Sequence, residues 1–136
     1  MRFGVLGPLA VWTDDGRAVT IPGRKVRALL ADLLVHEGRP VSVDRLVDDL
    51  WGAAAPADPT AALHVRVSQL RRALAVAEEG ARDLVASQAP GYALRAGPDA
   101  VDAIRFAALA ERAQGADDPR IRAGLLAEAL SLWRGP

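Results

Sequence analysis

The 136-residue sequence predicts an α+β fold, mainly α with small antiparallel sheets. Three observations carry that expectation. Short β-like runs separated by Gly-Pro and Asp-Gly turns fill the first 21 residues. Five later segments repeat apolar residues at the period of about 3.6 that marks a helix with one buried face. Two further short apolar runs flank a Pro-Gly pair between the third and fourth of those segments. A hydrophobic content of 51% supports a folded chain, long enough for one good core or for one small domain and part of another.

The first runs are Phe3 to Leu6, Leu9 to Trp12 and Val19 to Ile21, broken at Gly7-Pro8 and at Asp14-Asp15-Gly16. Gly23-Arg24 then opens a helix striped by Val26, Leu29, Leu30, Leu33 and Leu34 and expected to stop near Gly38. Ser42 is a suitable N-cap for a second helix, striped by Val43, Leu46, Val47, Leu50 and Trp51 and ended by Gly52. Ala53 to Pro59 is a proline-interrupted loop, after which Asp58 or Thr60 caps the third helix, Thr60 to Leu74. Leu84 to Ser87 and Tyr92 to Leu94 form a hairpin around Gln88-Ala89-Pro90-Gly91. Sheet, three helices and hairpin together make a winged helix-turn-helix with an N-terminal sheet.

After Gly97-Pro98 the pattern turns purely helical. Ile104, Phe106, Leu109, Ala110 and Ala113 stripe one helix. Asp118 and Pro119 are the N-cap and first residue of the next, striped by Ile121, Leu125, Leu126, Ala129, Leu130 and Trp133. Two such helices cannot bury both faces alone, so the sequence is expected to be a truncated piece of something longer.

The third helix is the most informative segment. Leu63, Val67, Leu70 and Leu74 form its buried stripe, and Pro59 to Val76 carries three arginines, one histidine and no acid. Ala61, Val65, Ser68 and Arg72 fall opposite the stripe, with His64 and Gln69 on the flanks. Such a face suits the major groove: Gln69 for adenine or a phosphate, Val65 and Ala61 for thymine methyls, Arg72 for guanine or the backbone. An apolar stripe with arginines opposite also describes an ordinary solvated helix, and only the position between a helical pair and a hairpin favours DNA.

Arg66 and Arg71 lie nearer the core edge, where a phosphate contact, base readout and a plain exposed charge all stay open. Thr60 caps the helix, presents its amides to a phosphate, or both. Arg24 and Lys25 fit either a phosphate contact or a solvated turn. In the wing, Gln88, Tyr92 and Arg95 approach the minor groove or backbone, with packing against the third helix the stronger reading for Tyr92. Trp12, Trp51 and Trp133 read as core or seam residues. His36 satisfies carbonyls at a helix end.

Other function classes find little support. The 17 basic and 17 acidic side chains balance, so bulk charge does not coat nucleic acid. Arginine is 16 of those 17 cations, a bias that a GC-rich genome explains equally well. Without cysteine there is no disulfide, thiolate metal site or thiol nucleophile, and with two histidines no cofactor or metal is expected. Ser42, Ser68 and Ser87 lack a nucleophile elbow, no phosphate-binding glycine loop occurs, and the adjacent pairs Asp14-Asp15 and Asp48-Asp49 cannot act as an acid/base couple. No run approaches the roughly 20 apolar residues of a membrane span, and the first residues do not make a secretory signal, so a cytoplasmic protein without membrane contact is expected. An enzyme is not.

Several segments resemble, in order, the signatures of the actinobacterial antibiotic regulatory proteins, the SARP family: RFGVLGPLAV at Arg2 to Val11, RKVRALLADLL at Arg24 to Leu34, VSVDRLVDDLWG at Val41 to Gly52, HVRVSQLRRAL at His64 to Leu74 and APGYALR at Ala89 to Arg95. FAALAERAQG at Phe106 to Gly115 and ALSLWRGP at Ala129 to Pro136 are similar to the start of that family's bacterial transcriptional activation domain, BTAD. The resemblance implies an OmpR-like winged-helix DNA-binding domain at 1–97 and the N-terminal part of a TPR-like helical BTAD at 98–136, shorter than is usual for the family. It also implies an activator of a biosynthetic, secondary-metabolite gene cluster. Such a protein binds direct repeats in double-stranded DNA near promoters, touches RNA polymerase and pairs as a homodimer on DNA. The alternative from the residues alone is a helical protein–protein interaction module without specific DNA binding.

Overall fold

The structure, a computed structural model, describes residues 1–135. Strands β1 (Arg2–Gly4), β2 (Ala10–Trp12) and β3 (Ala18–Val19) form an antiparallel sheet in that order, with Phe3 opposite Val11 and Val11 opposite Val19. Helices α1 (Arg24–Val35), α2 (Val43–Trp51) and α3 (Pro59–Ala77) follow. A second antiparallel sheet has the order β4 (Val41–Ser42), β6 (Gly91–Leu94), β5 (Val85–Gln88). Helices α4 (Asp102–Gln114) and α5 (Pro119–Ser131) close the chain.

The stripes read from sequence meet in one core. Leu29, Leu30 and Leu33 of α1, Leu46 of α2 and Leu63, Val67, Leu70 and Leu74 of α3 pack with Phe3 and Val85, all fully buried. Ser42 accepts a hydrogen bond from the Arg45 amide at 3.0 Å and so caps α2, and Asp118 caps α5 with Pro119 at its first turn, both as expected. Asp58, not Thr60, caps α3, accepting from the Ala61 amide at 3.2 Å with Pro59 leading the helix. α3 also runs past Leu74 to Ala77, and α1 ends at Val35, short of Gly38, which adopts φ 84° in the turn beyond.

The sequence pattern did not show β4. Val41 and Ser42 pair with Tyr92 and Gly91, so Ser42 ends a strand and caps a helix at once. Glycine is required at 91, because a Cβ there would overlap the Val41 carbonyl oxygen. The root of the hairpin is thereby bonded to the start of α2.

The α4–α5 hairpin docks on the first sheet. Asp102 accepts from the Val5 amide at 2.8 Å and the Leu6 amide at 3.0 Å, Arg134 lies 3.7 Å from the same carboxylate, and the Arg134 amide donates to the Leu6 carbonyl at 2.9 Å. The Arg134 guanidinium stands 5.2 Å from the Trp12 ring centre, which makes Trp12 the seam residue expected. A Cβ on Gly4 would lie 2.6 Å from that guanidinium, so the close approach depends on glycine. Trp133 departs from expectation: it is 57% exposed and continues an open apolar face with Leu126 and Leu130, because only Ala129 of α5 is buried.

Between α1 and α2, Asp32 and Asp49 stand together with His36 and Arg45 around them. Burial, and then the neighbouring Asp49, push the Asp32 carboxyl up to about 6, while Asp49 is held below the usual carboxylate range. Asp32 Oδ2 is buried without a hydrogen-bond partner. His36 Nδ1 lies 2.8 Å from the Asp32 carbonyl oxygen, the helix-end role expected of it.

Candidate nucleic-acid interface

The face of α3 turned away from the core is open. Thr60, Ala61, His64, Val65, Ser68, Gln69 and Arg72 are exposed, and Val65 keeps 53% of its surface in solvent. The α3 segment carries no acid from Pro59 to Ala77, so this surface offers donors and cations without a competing carboxylate of its own. Arg66 is half-buried and donates to Gln69 Oε1 at 3.2 Å. That bond takes one lone pair of the Gln69 oxygen and leaves its amide N–H groups free. A groove runs along this side, between Thr20, Pro22 and Gly23 and the α3 residues Arg66, Gln69, Arg72 and Val76.

Arg71 points the other way. Its Nε donates to the Val85 carbonyl at 2.9 Å, a terminal nitrogen to Ser87 Oγ at 3.1 Å, and its guanidinium lies 5.7 Å from the Tyr92 ring centre. In the folded chain this arginine staples α3 to the hairpin. Tyr92 is 7% exposed, packed under His64 with the two rings perpendicular and 6.2 Å apart. It supports the helix and shows little surface of its own. Gln88 is half-buried and accepts from Arg95 at 2.8 Å, which leaves the exposed Arg95 as the cation of the wing.

Arg24 and Lys25 separate as well. Arg24 is exposed at the first turn of α1, where Gly23 has φ 89° and neither a side-chain cap nor an acid covers the free amides. Such an end attracts a phosphate. Lys25 instead donates to the Leu50 carbonyl at the end of α2 and lies 5.8 Å from the Trp51 ring centre. Its charge satisfies the C-terminal end of α2.

The fold thus gathers Thr60, His64, Val65, Ser68, Gln69 and Arg72 on one surface, flanked by Arg24, Arg66 and Gln88 with Arg95. Arg71, Tyr92 and Lys25 lie beneath or beside it as supports. Ser87, read from the sequence as the end of a hairpin strand and as a poor nucleophile, holds Arg71; its place on the same face of β5 as buried Val85 was the available signal. Among the described residues no group of three or more His, Cys, Asp or Glu side chains is placed to hold a metal ion, and no helix is long and apolar enough to cross a membrane.

Comparison with known proteins adds to this geometry. The family model described as transcriptional regulatory protein, C terminal, matches residues 16–94. The chain is similar to the regulatory protein AfsR of Streptomyces coelicolor, with 39% identity over 139 residues covering 99% of this chain and 13% of that protein. It is 38% identical over 141 residues to the transcriptional regulatory protein EmbR of Mycobacterium tuberculosis, covering 100% of this chain and 36% of the relative. With the transcriptional regulator RedD of Streptomyces coelicolor it shares 37% over 142 residues, covering 100% and 40%. A solved structure of Mycobacterium tuberculosis EmbR in complex with a low affinity phosphopeptide matches with a TM-score of 0.90 at 37% identity, over 99% of this chain and 36% of that one. The chain therefore spans between 13% and 40% of the length of these relatives.

Proposed function

The chain belongs to the winged-helix family of transcriptional regulatory proteins, in its SARP-type branch, and from that premise we propose that it is a sequence-specific transcriptional activator of a biosynthetic, secondary-metabolite gene cluster. It acts in the cytoplasm on direct repeats in double-stranded DNA, pairs as a homodimer there, and touches RNA polymerase. Residues 1–97 bind the DNA, and residues 98–136 belong to the helical activation domain.

The observation that carries this reading is the acid-free, exposed face of α3, held against the wing by Arg71. α3 enters the major groove, where Gln69 donates to a base, Val65 and Ala61 meet thymine methyls, and Arg72 takes guanine or phosphate. Arg66 bonded to the Gln69 oxygen orients the amide so that its N–H groups face outward to adenine N7 or a phosphate. His64 and Ser68 flank the contact. Thr60 and Arg24 hold phosphates at two helix starts, and Arg95, braced on Gln88, reaches the backbone from the wing.

The test is fluorescence anisotropy of the chain on a direct-repeat duplex from the promoter beside its own gene, against a shuffled duplex, across a salt series. Preference for the repeat at physiological salt is expected, with a log–log salt slope of about −4 to −5 if roughly five phosphates are neutralised. Equal affinity for both duplexes would refute sequence reading.

A further inference from the structure

We propose that the cleft between the first sheet and the α4–α5 hairpin is a binding site for a small aromatic carboxylate, a reading independent of how α3 meets DNA. The cleft has a volume of about 270 Å³ and is lined by Arg2, Trp12, Asp102, Arg105, Leu132 and Arg134 among others. That size lies just under the roughly 300 Å³ at which pockets for drug-sized ligands begin. A ligand of one or two rings fits the space.

The chemistry of the lining selects the class. Arg2 and Trp12 are direct cross-strand partners on β1 and β2, so both side chains leave the same face of the sheet. Trp12 is half-buried and offers an aromatic surface. Two of the three lining acids are already committed: Asp14 to the Met1 amino group, and Asp102 to the Val5 and Leu6 amides and Arg134. Asp99 is the remaining carboxylate. Of the cations, Arg105 uses one terminal nitrogen on Glu128 at 3.1 Å, and the Arg2 guanidinium makes no hydrogen bond or ion pair among the described residues, although Asp14 lies near enough to feel its charge. The guanidinium donors left over ask for a planar acceptor, and a carboxylate meets such a fork with two parallel bonds. A neutral aromatic leaves Arg2 unmet, and a bare anion leaves Trp12 unused.

A ligand here touches β1 and β2 on one side and α4 and α5 on the other, so its binding free energy adds to the seam between the DNA-binding unit and the helical hairpin. Occupancy fixes the orientation of the hairpin relative to the winged helix.

The experiment uses the whole ¹⁵N-labelled chain, with the three tryptophan indole resonances assigned. Salicylate and indole-3-acetate are titrated beside their amides and beside inorganic phosphate. At least one carboxylate is expected to shift the Trp12 resonance saturably with Kd below about 1 mM, to leave Trp51 and Trp133 unmoved, and to raise Tm. Its amide and phosphate should bind at least tenfold more weakly. Arg2→Gln should weaken the carboxylate at least fivefold without changing the Tm of the free protein. No saturable shift with either carboxylate, an amide or phosphate that binds equally, or full affinity in Arg2→Gln each overturns the proposal.

Discussion

Replacing Arg71 by alanine should cost the fold more than it costs direct contact with DNA. The side chain donates from Nε to the Val85 carbonyl at 2.9 Å and from a terminal nitrogen to Ser87 at 3.1 Å, and it covers the Tyr92 ring at 5.7 Å. A hydrogen bond from a charged donor contributes about 1.5–3 kcal/mol, and a partly exposed cation–π contact about 0.5–1 kcal/mol. The Val85 bond counts at about 1.5 kcal/mol, the Ser87 bond, exposed to solvent, at about 0.5 and the ring contact at about 0.5, so Arg71→Ala should lose about 2–3 kcal/mol. Chemical denaturation would show this as a lower midpoint with little change in slope, and heating as a fall in Tm of roughly 8–12 °C. Arg71→Lys keeps the charge but not the fork, and should lose about half as much. On DNA, Arg71→Ala should bind more weakly at a nearly unchanged salt slope, because the wing loosens and no phosphate contact disappears. Unchanged stability with a salt slope shallower by about one would mean that Arg71 contacts a phosphate, and the stapling argument would fall.

Gln69→Ala and Arg72→Ala should each lose about 1–3 kcal/mol on the preferred duplex and less on a shuffled one; equal losses on both, measured by anisotropy, would remove them from base reading. Asp32 carries a carboxyl raised to about 6 from an ordinary 3.8, so the native state holds a proton that the unfolded chain has released between those values. Stability from this group is therefore greatest below about pH 4 and falls as pH rises to about 6; after discounting for solvent screening, Asp32→Asn should gain about 1 kcal/mol at pH 7.5 and flatten that slope in urea titrations. Asp49, shifted downward, acts in the opposite direction and only below its ordinary range. Gly91→Ala forces a Cβ into the Val41 carbonyl and should unpair β4 from β6, with a loss of about 3 kcal/mol or more by denaturation and a wing that exchanges its amides rapidly.

Much of this molecule could be read from spacing because its helices are amphipathic and well punctuated. The Leu63, Val67, Leu70 and Leu74 stripe, the Ser42 cap and the Asp118-Pro119 start are local patterns, and each sits where the pattern put it. β4 escaped because two residues carry no alternation, and their pairing with Gly91 and Tyr92 exists only after the chain has folded back. The same limit governed the cations. A helical projection places Arg72 opposite the buried stripe and Arg71 near the core edge with its partner open, and only the position of the Val85 carbonyl in another element turns Arg71 inward. Lys25 is similar, since its partner at Leu50 belongs to a different helix. Trp133 reads as a core or seam residue from its stripe, and a stripe does not say whether anything packs against it.

The docking of α4 and α5 onto the first strand bears on how such proteins exchange parts. Asp102 and Arg134 grip Val5 and Leu6, and Gly4 gives Arg134 the room to do so, so the first seven residues answer to the last helices as much as to the helices beside them in sequence. A crossover near residue 97 divides the covalent chain at a convenient loop but separates the two halves of that grip. Chimeras between relatives should fold best when the leading strand and the helical hairpin are taken from the same parent, and the inheritable module in this chain is therefore discontinuous.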